Sequence, residues 1–200
     1  MDYKEETIRA YDTYPERFND NFGNHFEQYA KKSADEFLGL LKGKRILDLG
    51  SGPGNHAAYF QEKGYDVLCL HVSDEMLKLC AKKGLRTIKM DIEALDFPTE
   101  SFDGIWAYAS LLHVPKSRIK GIGDMLHAML RSGGVLAIAV KEGISDGFEQ
   151  HEKYPGTRRW FTNFEDAEIR KLFVEKFSIL SFSREQFRTF SFIKYMMRKS

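Results

Sequence analysis

Cysteine is scarce in this chain of 200 residues, which contains only Cys69 and Cys80. Cys69 lies in an apolar strand pattern and Cys80 in a helical one, so we interpret both as buried thiols. Two such cysteines exclude a disulfide framework, and the sequence has no zinc-type spacing of cysteine and histidine. This usage indicates a reducing compartment, and we expect a cytoplasmic protein.

Long hydrophobic runs and a dominant charge are also missing. The longest apolar run, VLAIAV from Val135, has the length of a strand and is too short to span a membrane. The 30 basic and 29 acidic side chains leave a formal net charge of +1, which favours neither a nucleic acid nor a membrane partner. Without repeats or linkers, the chain is predicted to form one domain over residues 1–200.

Aromatic side chains, in contrast, are abundant, with 16 Phe and nine Tyr. Near the N-terminus, Tyr11, Tyr14 and Phe18 recur at spacings of three and four residues, within a helical pattern that covers residues 5–41. Such spacing places these rings on one helical face. We predict two or three helices in this segment, because a proline and a glycine interrupt it.

Strand-like and helix-like segments alternate beyond residue 43. The predicted strands are KRILDLG, YDVLCLH, RTIKMD, FDGIWAYA and GGVLAIAVKE, with helical patterns between them. This alternation predicts an α/β fold, a doubly wound parallel sheet with helices on both faces. The segment SDGFEQHEKYPGTRRWF is interpreted as a polar loop, and FSILSFSRE and TFSFIKYMMR as a terminal antiparallel hairpin at the sheet edge.

The first predicted strand runs directly into a turn with glycines at positions 50, 52 and 54, in RILDLGSGPGNH. Glycine permits backbone angles closed to other residues and lets the main chain approach a ligand. Asn55 and His56 stand where a P-loop needs Lys and Ser or Thr, which excludes that motif. The third glycine comes one residue too early for the dinucleotide fingerprint, which disfavours an NAD-dependent oxidoreductase.

The segment LDLGSGPG resembles motif I of the class I S-adenosylmethionine-dependent methyltransferases, of the methyltransferase type 11-like kind. Three further segments resemble later motifs in the same order, namely HVSDEMLKLCAKKG, MDIEALDFPTESFDGIWAYASLLHV and MLHAMLRSGGVLAIAV. The resemblance covers residues 44–140. It implies a Rossmann-like, seven-stranded and mostly parallel sheet with an antiparallel C-terminal hairpin, in a core of residues 43–200 under a helical lid of residues 1–42.

The resemblance also implies S-adenosylmethionine as cofactor and assigns its parts to different segments. The glycine turn would approach the methionine and ribose portions, Asp91 would accept from the adenine amino group, and the Ile92 amide would donate to a ring nitrogen. Asp48 would orient the turn or bind the ligand ammonium. The implied cofactor-binding residues are Asp48, Gly50, Gly52, Gly54, His71, Val72, Met76, Asp91, Ile92, Ala107 and Tyr108.

One position departs from the family pattern. Family members place an acid at the exit of the second strand to bind both ribose hydroxyls, and this sequence has His71 there. A neutral imidazole offers one donor and one acceptor, so we expect a loss of about fivefold in cofactor affinity. Two alternatives stay open: Asp74 or Glu75 supplies the carboxylate, or the chain is an inactive methyltransferase-like interaction module.

Methyl transfer needs little from the protein except positioning and the removal of water. His113, which follows the fourth strand, is the candidate general base. Tyr11, Tyr14 and Phe18 are candidate lid residues that would contact the ligand or its sulfonium.

The substrate is expected to be a small-molecule methyl acceptor that is methylated on O, N or C. Arg158 and Arg159 are candidate ligands for a substrate carboxylate or phosphate, with Trp160 and Phe161 as a hydrophobic wall. A nucleic acid partner is disfavoured because the C-terminal basic residues are scattered, although RNA methylation stays an alternative. We expect a monomer or a homodimer.

Overall fold

The protein is described by a computed structural model that covers residues 2–187 and 189–200. Its central feature is a seven-stranded sheet, which confirms the predicted fold class. The strands of this sheet are β1 (Arg45–Leu49), β2 (Asp66–His71), β3 (Arg86–Lys89), β4 (Phe102–Tyr108), β5 (Leu130–Lys141), β8 (Phe177–Gln186) and β9 (Ser191–Lys199). Two shorter strands, β6 (Asp146–Gln150) and β7 (Arg158–Thr162), form a separate hairpin.

The strand order across the main sheet is β3-β2-β1-β4-β5-β9-β8. Neighbours from β3 to β5 pair in parallel, whereas β9 is antiparallel to both β5 and β8. The order reverses direction beside β1, so β1 and β4 diverge into crossovers on opposite faces. In open sheets of this kind, the crevice at the carboxyl ends of such strands is the usual ligand site.

Helices cover both faces of the sheet, as the alternating pattern predicted. They are α1 (Tyr3–Thr13), α2 (Pro15–His25), α3 (Lys31–Leu40), α4 (Asn55–Glu62), α5 (Asp74–Lys82), α6 (Lys116–Met129) and α7 (Asp166–Phe173). A π-helical turn, Phe26–Ala30, joins α2 to α3. Among residues 2–187 and 189–200, no helix is long and apolar enough to cross a bilayer.

Two clusters of buried side chains fill the space between the sheet and its helices. One cluster joins the sheet to α6 and α7 through residues such as Leu126, Ile169 and Phe173. The other packs α3 and α4 on the opposite face and includes Phe37 and Phe60. Parallel strands with both faces covered must be apolar on both sides, which accounts for the continuous hydrophobic runs of β4 and β5.

The N-terminal helices lie over the carboxyl ends of the strands. Helix α1 packs along β7, and the Trp160 amide donates a hydrogen bond to Thr7 Oγ1 at 3.0 Å. The Ser73 hydroxyl, which also caps α5, donates to Asp12 at 2.5 Å. A predicted lid over residues 1–42 is consistent with this placement, although its separation from a core of 43–200 stays a prediction.

The β6–β7 hairpin corrects the interpretation of residues 145–161 as a polar loop. Its strands pair antiparallel from Asp146 with Thr162 to Gln150 with Arg158. The sequence conceals this hairpin because its strands are half-buried and carry charged residues, so neither shows the apolar alternation that predicts a strand. Its consequence is that Arg158 to Phe161 are held on a strand under α1.

Gly54 serves packing between elements. It has φ +82° as the residue before α4, and a Cβ there would lie 2.6 Å from Leu85 Cδ1 and 2.8 Å from Cys80 Sγ. Gly84 has a similar φ of +73°, but a Cβ there would meet nothing within 4 Å. The two positions therefore share one backbone conformation and differ in their surroundings.

This difference predicts unequal effects of the same substitution. Gly84→Ala is expected to lower the free energy of unfolding by about 1 kcal/mol through left-handed backbone strain alone. Gly54→Ala is expected to cost about 3 kcal/mol, because overpacking against α5 and Leu85 adds to the strain. Urea unfolding of both variants checks this prediction, and equal losses would show that Gly54 is not constrained by packing.

Candidate active site

A cavity of about 330 Å³ lies at the carboxyl ends of the central strands, beneath α1 and α2. Eleven of the residues singled out in the sequence line it: Tyr11, Asp48, Gly50, Gly52, His71, Val72, Ile92, Tyr108, His113, Arg159 and Phe161. Among them, Tyr11 and Arg159 are 148 positions apart in the sequence. The sheet edge predicted to face a ligand therefore does enclose a cavity of ligand size.

The glycine turn forms one wall of this cavity. Gly50 and Gly52 have φ of +73° and +53°, in the left-handed region that glycine adopts without strain. A Cβ on Gly50 would lie 2.5 Å from Ser110 Cβ, and one on Gly52 would lie 3.3 Å from the Phe22 ring. Glycine is thus required here both by the backbone angles and by the close approach of neighbouring side chains.

Three polar side-chain atoms at the cavity are buried without a hydrogen-bond partner among the described residues. They are Asp48 Oδ2, the Tyr108 hydroxyl and Ser110 Oγ, and all three residues line the cavity. Burial raises the pKa of the Asp48 carboxyl well above its usual range. Buried polar atoms are normally satisfied, so this set indicates a site built for a polar ligand.

His71 sits at the exit of β2 with its ring orientation fixed by the backbone. The Ser73 amide donates to His71 Nδ1 at 3.0 Å, and burial lowers the pKa of the imidazole to about 4. The neutral ring therefore carries its proton on Nε2 and is a donor at its other side. The two acids considered as substitutes, Asp74 and Glu75, pair instead with Lys89 and Lys78 and do not line the cavity.

His113 has both ring nitrogens occupied. Its Nδ1 lies 2.6 Å from the Trp160 carbonyl, which can only accept, so Nδ1 carries the proton. Its Nε2 then accepts from the Tyr11 hydroxyl at 2.8 Å. Burial and the nearby Arg159 charge lower the pKa of His113 to about 3. The structure gives His113 a role in joining α1 to β7, and its role as a base stays a prediction.

Asp91 lies at the edge of the site. Its Oδ1 accepts from the Glu93 amide at 2.9 Å, and its Oδ2 forms an ion pair with Lys4 at 2.7 Å. Asp91 does not line the cavity, whereas the adjacent Ile92 does. The adenine contact assigned to Asp91 stays a prediction, and the Lys4 ion pair shows that α1 reaches this carboxylate.

The two neighbouring arginines of β7 face different surroundings. Arg158 lies 3.5 Å from the Glu6 carboxylate and over the Phe148 ring, outside the cavity. Arg159 lines the cavity and has no carboxylate within ion-pair distance among residues 2–187 and 189–200. Its guanidinium stands 4.9 Å from the Phe161 ring centre and 5.0 Å from that of Phe18. The alternation of side chains along β7 thus places Arg158 beside a carboxylate and Arg159 beside aromatic rings in the cavity.

Several residues predicted for the site lie outside the cavity. Phe18 and Met76 are fully buried in a small cluster beneath α1 and α2, and the Tyr14 hydroxyl donates to the Pro155 carbonyl. Those outside are Tyr14, Phe18, Gly54, Met76, Asp91, Ala107, Arg158 and Trp160. For most of them the surrounding contacts are structural, and their ligand roles stay predictions.

More than half of the residues that line the cavity were not predicted from the sequence as site residues. The additional residues are Thr7, Phe22, His25, Ser51, His56, Leu70, Ala109, Ser110, Leu112, Lys141, Glu149, His151, Phe190 and Phe192. Phe22 and His25 continue the aromatic face of the N-terminal helices, which is a usable signal. The β6–β7 residues are hidden because the sequence of that hairpin has the pattern of a loop.

The doubly wound sheet, the glycine turn and the cavity together define a Rossmann-like ligand-binding protein. A family model described as a methyltransferase domain, Methyltransf_11, matches residues 47–138. The chain is 30% identical over 121 residues to a malonyl-[acyl-carrier protein] O-methyltransferase of Enterobacter lignolyticus, covering 56% of this chain and 47% of the relative. It is 28% identical to an uncharacterized methyltransferase, YdaC, of Bacillus subtilis, covering 69% and 78%.

The fold is similar to that of solved methyltransferases. A 1,6-didemethyltoxoflavin-N1-methyltransferase of Burkholderia thailandensis, solved with bound 1,6-didemethyltoxoflavin and S-adenosylhomocysteine, has a TM-score of 0.71 at 21% identity, covering 96% of this chain and 88% of that one. The match over residues 47–138 and these relatives support a class I S-adenosylmethionine-dependent methyltransferase. It spans about half the length of the first curated relatives it matches.

The comparisons support S-adenosylmethionine as the cofactor, as the resemblance to the methyltransferases implied. The residues at the glycine turn fit this cofactor, whereas the residue at the exit of β2 departs from the family pattern. The unpartnered Asp48 Oδ2 and the glycine walls suit a cationic ligand that approaches the backbone closely. His71 supplies a single donor in place of the carboxylate that the family uses.

The buried histidines predict a pH-dependent stability. Because the pKa of His113 is lowered on folding, its unfolded form takes up a proton below about pH 6.5 that the folded form refuses. Stability is therefore lost as pH falls. His113→Gln removes this contribution, so the stability of the wild type relative to the variant should fall by about 1.5 kcal/mol between pH 6.5 and 5.

Urea unfolding of both proteins across this pH range is the measurement. The control variant is His151→Gln, the same substitution at an exposed histidine. A constant difference between wild type and His113→Gln would contradict the burial of a neutral His113.

Proposed function

We propose that the chain is an active S-adenosylmethionine-dependent methyltransferase that transfers a methyl group to an O, N or C atom of a small-molecule acceptor. The observation that carries this proposal is the cavity at the carboxyl ends of β1, β2 and β4, whose glycine turn, Asp48 and Ser110 face one enclosed space. Both curated relatives described above are named as methyltransferases, which supports it. The cavity volume of about 330 Å³ and its largely apolar lining favour a small acceptor over RNA.

Asp48, Gly50 and Gly52 would hold the amino acid portion of the cofactor, and His71 and Ile92 the ribose and adenine side. When bound, the cofactor supplies a sulfonium-activated methyl carbon. The protein residues then position the reactants and exclude water, which are the main requirements of such a displacement. The aromatic side chains Tyr11, Phe22 and Phe161 exclude water from the same space.

His71 also favours a second candidate function. A site that has replaced the ribose-binding carboxylate with a single donor would suit a methyltransferase-like module that binds weakly and does not turn over. The retained Asp48 and glycine turn favour the active enzyme, and cofactor binding separates the two.

Calorimetric titration with S-adenosylmethionine and S-adenosylhomocysteine, with NAD as a control, tests the proposal. Both ligands are expected to bind with micromolar dissociation constants, and NAD is not. His71→Asp should tighten S-adenosylmethionine about fivefold, since a carboxylate accepts from both ribose hydroxyls.

The same change at another cavity histidine, His151→Asp, controls for the added charge and should alter affinity by less than about twofold. Absence of binding by the wild type, with binding recovered in His71→Asp, would favour the inactive module. Absence of binding in both would contradict the proposal.

We further propose that the acceptor is an acid, because the Arg159 guanidinium lines the cavity and has no carboxylate within ion-pair distance among the described residues. It donates a hydrogen bond to the Tyr11 hydroxyl at 3.2 Å. A charge in such surroundings gains most from a ligand carboxylate or phosphate. Benzoate, used as a probe on protein saturated with S-adenosylhomocysteine, is expected to bind about tenfold more weakly to Arg159→Gln than to the wild type.

The neighbouring Arg158→Gln is the matched variant, since its side chain pairs with Glu6 outside the cavity. The loss should be confined to Arg159→Gln. An equal loss in both variants would mean that the effect comes from general charge and not from a built anion site.

A further inference from the structure

The side chains of His56 and Tyr108 lie next to each other at the cavity. Neither side chain takes part in the cofactor contacts proposed above. His56 lies in the first turn of α4, and Tyr108 is the last residue of β4. Their ring centres are 5.2 Å apart in an edge-on arrangement, and both residues line the cavity. Two polar side chains of the lining thus lie side by side.

The protonation of His56 is fixed from within the core. The Trp106 indole donates from Nε1 to His56 Nδ1 at 2.8 Å, and an indole nitrogen can only donate. Burial lowers the pKa of His56 to about 3, so the ring is neutral and its one proton is on Nε2. No hydrogen bond among the described residues uses that nitrogen. His56 therefore presents one N–H donor.

The Tyr108 hydroxyl is a second donor. The residue is 8% exposed, and its hydroxyl is buried with no partner among residues 2–187 and 189–200. Its ring is held between Trp106 at 5.2 Å and Phe192 at 6.4 Å, both nearly parallel to it. Burial raises the pKa of Tyr108, so the hydroxyl keeps its proton.

The surroundings of these donors are aromatic. Phe190 and Phe192 line the cavity with their ring centres 5.8 Å apart, and Phe192 is the ring that stacks on Tyr108. His25 stands 6.1 Å from the Tyr108 ring, and burial together with the Lys194 charge lowers its pKa, which keeps this neighbour uncharged as well. Stacked aromatic rings beside two donors match an aromatic ligand that carries a lone-pair acceptor.

We propose that His56 and Tyr108 form an acceptor subsite that binds a hydroxyl or carbonyl oxygen on a planar aromatic methyl acceptor. This inference rests on the proposed function and deepens it by naming the substrate class. One oxygen has two lone pairs, and the subsite offers two donors, so the buried Tyr108 hydroxyl and the Nε2–H of the half-buried His56 each gain a partner when such a ligand is bound. The proposal concerns binding, and it leaves open which atom is methylated.

The test compares phenol with toluene, which have nearly the same shape and differ by one hydroxyl. Both are titrated into the full chain, with and without saturating S-adenosylhomocysteine, while the Trp106 indole N–H resonance is followed by NMR. A Trp160→Phe variant assigns the two tryptophan signals. Phenol is expected to bind at least about fivefold more tightly than toluene, which is the value of one net hydrogen bond.

Tyr108→Phe is the main variant, and Tyr65→Phe is its matched control because the Tyr65 hydroxyl donates to the Leu38 carbonyl away from the cavity. Tyr108→Phe should abolish most of the preference for phenol and leave thermal stability unchanged or higher, since its hydroxyl loses no protein partner. Tyr65→Phe should keep the preference and lower thermal stability.

Equal binding of phenol and toluene by the wild type, or an unchanged preference in Tyr108→Phe, would overturn the subsite. So would a loss of stability in Tyr108→Phe as large as that in Tyr65→Phe, since it would show a structural hydroxyl. Failure to bind S-adenosylhomocysteine, with the phenol preference present, would overturn the proposed function and leave the subsite standing.

Discussion

Burial in an apolar cavity removes the water that would stabilise the charged form of a side chain, and four side chains at this sheet edge experience that loss together. Asp48, His56, His71 and His113 all have pKa values displaced mainly by desolvation, each towards its neutral form. The cavity is therefore polar in its hydrogen-bonding groups while carrying little charge of its own. Most of its chemistry depends on which atom of each neutral group holds the proton.

Those proton positions are determined by partners outside the cavity. Ser73 determines the tautomer of His71, Trp160 that of His113, and Trp106 that of His56. In each case the partner is a backbone or indole group that can only donate or only accept a hydrogen bond, which fixes the tautomer of the imidazole. Two other charged residues of the lining, Lys141 and Glu149, pair with each other. The Arg159 charge instead faces aromatic rings.

The sheet and its crossovers could be predicted from the sequence because parallel strands buried on both faces must be apolar and the helices between them amphipathic. The glycine turn could be predicted because three closely spaced glycines directly after a strand are typical of a backbone that approaches a ligand. The β6–β7 hairpin could not, since its residues are half-buried and its pairing is decided by contacts with α1. Folding also gives the two adjacent arginines different surroundings, since Arg159 lines the cavity and Arg158 does not. The sequence alone does not distinguish them.

Individual side-chain roles were harder to predict than the position of the site. Tyr14 and Phe18 follow the expected spacing, but that spacing is shared by residues that pack and residues that bind. His56 follows the glycines in the first turn of a helix, and no local pattern distinguishes it from a residue that only packs. Its importance depends on Trp106, which is 50 positions away and joined to it only by folding.

The Trp106 ring is completely buried against Phe37 and Phe60, within the core between the sheet and α3 and α4. A homologue with another large hydrophobic residue at this position would keep the fold and free the second nitrogen of His56. Its imidazole could then adopt either tautomer, and the cavity could accept a ligand that donates where this one must accept. Substrate preference in such a lineage could therefore diverge through a core position, with every cavity residue unchanged.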